Sequence, residues 1–169
     1  MRLGRLLRHA LATHWRTRLA FSRGALDAIE AAVRRAERSH LGQIRFAIET
    51  ALTPMHLWHD YSARARALDV FSALRVWDTE CNNGVLLYIL FADRKVEIVA
   101  DRGFHGHVSP AEWEAVCRLM EGHFRAGRFR EGSVAGVEAV GALLSRHFPQ
   151  SDAAAGTAKI ELPDRPTLL

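Results

Sequence analysis

Apolar positions fall into distinct patterns along the chain, and each predicts a different element. From Gly84 to Ala92 the run Val85-Leu86-Leu87-Tyr88-Ile89-Leu90-Phe91 is almost unbroken, which predicts a strand covered on both faces. Asp93-Arg94 supplies a hairpin turn, and Lys95 to Ala100 returns with polar and apolar residues alternating at its start. Gln43 to Glu49 alternates throughout, so it predicts a strand with Ile44, Phe46 and Ile48 on one side.

Elsewhere the spacing is helical. Leu26, Ile29, Ala32, Val33 and Ala36 form the stripe of a helix from about Ala25 to Ser39. Ser22 is its expected N-cap, Phe21 its staple, and Gly42 its left-handed stop. Ala63, Ala67, Val70, Phe71 and Leu74 predict a helix from Ser62 to Leu74, with Arg66 and Asp69 exposed. Leu57, Trp58 and Tyr61 form its lead-in, packed on the sheet edge, and Trp77 is expected at the next helix-strand junction. Ser109-Pro110-Ala111-Glu112 is a capping box opening a helix to about Phe124 that buries Trp113, Val116, Cys117 and Met120. Val134, Val137, Val140, Leu143 and Leu144 predict a last helix from about Glu131 to His147, stopped by Phe148-Pro149.

Before these elements, Leu3, Leu6, Leu7, Ala10 and Leu11 share a helical face with arginines opposite, over Arg2 to about Thr17. This basic amphipathic helix is expected to pack within the protein, with packing on another subunit or lying on a membrane surface as alternatives. After Pro149, Gln150 to Thr157 reads as linker, and Ile160 to Pro166 as an extended tail too proline-rich for a central strand. The order implies an α/β fold, a small mixed parallel/antiparallel sheet flanked by helices on both faces. Its parts are a basic helix over 1–20, an α/β domain over 21–149, and a linker with extended tail over 150–169.

Composition adds little to this picture and excludes much. With 169 residues, 49% of them hydrophobic, the chain suits one domain with a full core. Its net charge is +4, from 23 Lys+Arg against 19 Asp+Glu, and the excess sits in the first forty residues. A basic end can meet anionic lipid, an acidic partner or nucleic acid, the last being the least expected. No apolar run reaches the roughly 18 residues of a membrane span, and no signal-peptide pattern stands at the start, so a cytoplasmic protein is expected. Cys81 and Cys117 are a poor disulfide framework, although Cys81 in a polar loop is a candidate reactive thiol.

The candidate chemistry gathers at one end of the hairpin. Asp78, Glu80, Asn82 and Asn83 precede its first strand, and Asp101, Arg102, His105 and His107 follow its second. In an antiparallel pair these two ends are neighbours, so the clusters are expected to meet. Asp78, Glu80, Asn82 and Asp101 form an oxygen-rich set suited to Ca²⁺ or Mg²⁺. A phosphate-hydrolysing reading takes Asp101 and Asp78 as the catalytic carboxylates, with Arg102, Arg94 and Asn83 holding the substrate. Against it, the signatures of a cysteine loop with arginine, a DxD pair and RHG are all missing. His105-Gly106-His107 and the His59-Asp60 pair are weaker metal candidates, and the loop histidines are expected to be solvent-exposed.

The segments Asn82-Asn83-Gly84-Val85-Leu86-Leu87, Asp93-Arg94-Lys95-Val96-Glu97-Ile98 and Asp101-Arg102-Gly103 closely resemble the TPM domain, as do Phe124-Arg125-Ala126-Gly127-Arg128-Phe129 and Gly132. The resemblance covers about Leu26 to Pro149 and points to the stand-alone soluble bacterial branch. It implies an α/β/α sandwich, acid phosphatase activity as in a plant member, and divalent metal at the sheet-edge loops as in some bacterial members. The matching loop positions here are Asp78, Asn82, Asn83 and Asp101. The expected function is thus a binding or assembly module, divalent-metal-dependent, acting on a protein partner or a second copy of the chain. A weak metal-assisted phosphatase and a membrane-surface adaptor built on the basic helix are the alternatives.

Overall fold

The computed structural model describes residues 3–149 and 162–169. The linker positions and Ile160 and Glu161 lie outside the described residues. Among the described residues a sheet of four strands runs in the order β3-β2-β1-β4, with β1 at Gln43–Glu49, β2 at Gly84–Leu90, β3 at Lys95–Ala100 and β4 at Thr167–Leu168. β1 and β2 are parallel, with Gln43 opposite Gly84 and Glu49 opposite Leu90, while β2 and β3 form the antiparallel hairpin. The helices are α1 (Leu3–Leu11), α2 (His14–Ala20), α3 (Arg23–Ala36), α4 (Pro54–Trp58), α5 (Ala63–Ala73), α6 (Pro110–Arg125) and α7 (Phe129–His147).

Both faces of the sheet are covered, which makes this the expected α/β sandwich. On one face Ile44, Phe46, Ile48, Val85, Leu87, Ile89, Val96 and Ile98 pack with residues of α3, α6 and α7. On the other, Ala47, Leu86, Tyr88, Leu90 and Val99 meet Ala67 and Val70 of α5, Leu57 of α4 and Leu162 of the tail. Each fully buried side chain of this size contributes about 1.5–3 kcal/mol, and that is why both registers of β2 are apolar. The free edge of β3 is blunted: the Ile98 carbonyl accepts from Arg64 and the Val96 N–H donates to Glu121. Side chains on an edge strand's unpaired groups discourage pairing with another chain.

Several expectations need correction. The N-terminal helix is two helices, because Thr13 caps α2 by accepting from the Arg16 N–H. Its orientation is also reversed. Leu3, Leu7, Leu11, Trp15 and Leu19 are exposed, while the face turned inward carries Arg5, Leu6 and His9. Arg5, Arg8 and His9 all approach Asp93 of the hairpin turn, and these charge contacts select the inward face. Helix α3 ends at Ala36 without a left-handed cap. Gly42 is needed for space instead, since a Cβ there would stand 2.7 Å from Leu144 Cδ1.

Thr53 caps the short helix α4, accepting from the His56 N–H, with Pro54 at its first position. Trp58 is exposed rather than packed on the sheet. Tyr61 stacks on His56 and donates to Asp69. Trp77 is half-exposed beneath the Arg75 guanidinium. Arg66 is drawn inward by Glu49, its Nε 2.9 Å from Oε2. Trp113 and Cys117 are only partly buried. Burial pushes the Cys117 thiol up to about 12, so it is an unreactive side chain at neutral pH.

The tail supplies the unforeseen fourth strand. Arg45, on the face of β1 opposite Ile44, donates to the carbonyls of Pro163 and Arg165 and to Thr167. These bonds hold the tail parallel to β1, where Ala47 pairs with Thr167. Both prolines, Pro163 and Pro166, precede β4 at the sheet edge, where no ladder hydrogen bond is asked of them.

Candidate functional site at the polar end of the hairpin

Three strand ends meet as the hairpin geometry requires. The Asp101 N–H donates to Gly84 O at 2.9 Å, the Gln43 N–H to Asn83 O at 2.9 Å, and the Gly103 N–H to Asn82 O at 3.1 Å. Two glycines permit this closeness. A Cβ on Gly84 would lie 2.0 Å from the Val76 carbonyl oxygen, and one on Gly103 would lie 2.5 Å from Asn82 O. Asn82 has φ of 51°, the left-handed region that asparagine tolerates better than most residues.

The side chains then lock the loops. Asn83 Nδ2 donates to the Leu41 carbonyl, and the Asn83 N–H donates to Thr79 Oγ1. Asp101 Oδ1 accepts the Arg102 N–H at 2.7 Å and caps a single 3-10 turn over Arg102–Phe104. Arg102 Nε reaches across the hairpin end to Asn82 Oδ1 at 2.9 Å. Two acceptors remain. Asn83 Oδ1 and Asp101 Oδ2 are both buried without a hydrogen-bond donor among the described residues. Leaving a buried polar atom unsatisfied costs about 1–3 kcal/mol, and these two stand on loops tied to one another.

The other candidate residues stand differently. Asp78 is exposed and held by Arg75 at 2.6 Å. Glu80 is exposed on the same loop, as is Cys81. Arg94 sits in the β2–β3 turn with φ of 50°, at the far end of β3 from Asp101. A strand rises about 3.3 Å per residue, so Arg94 and Asp101 cannot grip one small substrate. His105 and His107 are exposed, as expected, and His107 packs edge-on against Phe148. Asp60 pairs with Arg5 instead of joining His59. Among the described residues no three His, Cys, Asp or Glu side chains are grouped to hold a metal. Any cation here would rest on asparagine and aspartate oxygens together.

A second polar cluster, at the opposite end of the parallel strands, was not foreseen. Arg5 Nε donates to Asp93 Oδ2 at 2.9 Å and Arg8 to Asp93 Oδ1 at 3.2 Å. His9 Nε2 lies 3.2 Å from Asp93 Oδ2 in an electrostatic contact too bent for a good hydrogen bond, while its Nδ1 accepts the Leu52 N–H. Burial alone would raise the Asp93 carboxyl, but Arg5 and His9 hold it below its usual value. Next to it, Tyr88 donates to Glu49 at 2.6 Å and Arg66 clasps the same carboxylate. Burial first, and Glu49 second, push the Tyr88 hydroxyl well above its usual range. Asp93 had the spacing of a turn residue and His9 sat among leucines, so no pattern marked either one.

Residues 18–143 match the family model described as the TPM domain. The chain belongs to the TPM domain family. The matched residues run from α2 to α7 and include both strand ends of the polar site, whereas α1 precedes them. Among solved structures, the TPM domain here is similar to the BA42 protein of the psychrophilic bacterium Bizionia argentinensis, with 29% identity and a TM-score of 0.72, covering 86% of this chain and 93% of that one. It also shares its fold with the N-terminal domain of a P. gingivalis protein, at 21% identity and a TM-score of 0.58, covering 77% and 82%. No curated protein matches the chain.

Proposed function

We propose that this TPM domain is a binding module that works through the polar hairpin end, and that a divalent cation of the Ca²⁺ or Mg²⁺ class is held there by Asn83 Oδ1 and Asp101 Oδ2. The observation that carries this reading is the pair of buried oxygen acceptors without donors, on loops tied to one another. Hard cations choose oxygen ligands and take about six or more of them. Two side-chain oxygens leave most of the shell to water and to a partner, so a partner carboxylate or carbonyl would complete the site. Arg102 and Asn82, bonded to each other, flank the position and orient the loop. The partner class is a protein with an exposed acidic or carbonyl-rich loop, or a second copy of this chain.

The test is a thermal-shift titration of chelator-treated protein with Ca²⁺ and with Mg²⁺. A ligand that binds only the folded state raises the melting temperature by mass action. We expect a rise for at least one of the two ions, lost in both Asp101→Asn and Asn83→Ala. Flat curves with both ions refute the cation site. Turnover of a phosphomonoester by the loaded protein, lost in Asp101→Asn, would move the reading from binding to hydrolysis.

A further inference from the structure

The N-terminal helices turn the wrong face to solvent for a free-standing domain. Leu3, Leu7 and Leu11 stand one helical turn apart along α1, Trp15 and Leu19 one turn apart along α2, and Leu11, Trp15 and Leu19 line one groove. Exposures run from 56% at Leu7 to 71% at Leu3 and Trp15. Single exposed leucines are ordinary, but five large apolar side chains exposed within seventeen residues, three of them on one groove, mark an interaction surface. On α2 the two exposed arginines Arg16 and Arg18 flank Trp15 and Leu19, because positions one away from each fall on either side of the helix. Arg8, also exposed, flanks Leu11. Beside Leu11, Trp15 and Leu19 lies a groove of about 990 Å³, whose charged lining is mixed, with Arg94, Arg125 and Arg130 alongside Asp93, Glu121 and Glu131.

Charge decides what can cover these side chains. No acidic residue precedes Asp27 in the chain. A second copy docking through the same side chains would bring arginine against arginine, and like charges across an interface are unfavourable. An anionic lipid surface satisfies both demands: leucines and tryptophan enter the headgroup boundary while the arginines meet lipid phosphates. Docking of α1 to the body through Arg5, Leu6 and His9 holds its leucines outward, so no rearrangement is needed to present them. We infer that α1 and α2 form a peripheral docking face for anionic membrane surfaces, separate from the polar hairpin end.

Co-sedimentation of the full chain with extruded vesicles tests this. One set is phosphatidylcholine alone, the other equimolar phosphatidylcholine and phosphatidylglycerol. We expect binding to the anionic vesicles only, weakened by salt, with a fluorescence blue shift that Trp15→Phe removes. Leu7→Glu with Leu11→Glu should abolish binding while circular dichroism and melting stay unchanged, since both side chains are exposed. Arg16→Gln with Arg18→Gln should lower partitioning roughly thirty-fold, from the usual contribution of a basic residue near an anionic surface. Equal binding to both vesicle types, no binding to either, or binding indifferent to the leucine substitutions would overturn the inference. So would a concentration-dependent dimer, seen by light scattering and lost in the leucine variant, since that would assign these side chains to self-association.

Discussion

Replacing Asp93 with asparagine tests how α1 is held. The carboxylate accepts from both Arg5 and Arg8 and lies 3.2 Å from His9 Nε2, and its side chain is only 9% exposed, while Arg5 keeps a second bond to the Tyr61 carbonyl and a longer contact with Asp60. The Arg8 contact contributes little, because the arginine is largely solvated and exposed pairs contribute about 0–1 kcal/mol. The Arg5 bond is short and mostly shielded, and a hydrogen bond to a charged group is worth about 1.5–3 kcal/mol. Asparagine keeps the size and one acceptor, so the expected loss in α1 docking is about 2–3 kcal/mol. Because the outward leucines leave α1 few apolar contacts with the body, the loss should appear as local opening. Amide exchange within residues 3–11 should quicken roughly thirty- to a hundred-fold, while exchange in β1 and β2 stays unchanged. Unaltered exchange in α1 would refute the clamp. A uniform increase across the sheet would show instead that α1 and the core unfold as one unit.

Other predictions follow from the same accounting. Burial, and then the neighbouring Asp164, raise the Glu37 carboxyl from 4.5 to about 8, against the lowering effect of the Ile44 N–H that it accepts. A raised folded-state value means its stabilisation is complete below about 4.5 and is lost as pH rises through about 8. Denaturant melts should therefore show stability falling across that window, and Glu37→Gln should flatten the fall; an unchanged slope would exclude Glu37 as its source. Gly84→Ala would drive a Cβ to 2.0 Å from the Val76 carbonyl oxygen, so a loss of about 3 kcal/mol or more is expected in thermal or urea melts. Gly122→Ala, in α6 with nothing within 4 Å, should instead stabilise by about 0.5–1 kcal/mol. If both glycine variants behave alike, the close loop packing at the hairpin end is wrong.

The sequence by itself determined the strands β1 to β3, the hairpin turn and the helices with strong caps, because these follow from local periodicity and capping chemistry. Gln43–Glu49 alternates, Gly84–Leu90 is apolar in both registers, and Ser22 and Ser109 each cap the helix that follows. It also determined that Asn82, Asn83 and Asp101 share one edge, since antiparallel pairing brings those ends together whatever surrounds them. Only the tertiary structure decided the rest. Which face of α1 turns inward depends on Asp93, 84 residues beyond His9 in the chain, and a helical stripe cannot show that a polar contact will outcompete it. The parallel fourth strand depends on Arg45 reaching carbonyls more than a hundred residues away. The two unsatisfied oxygens at Asn83 and Asp101 arise from how the loops close over them, and burial of that kind is a property of the folded chain alone.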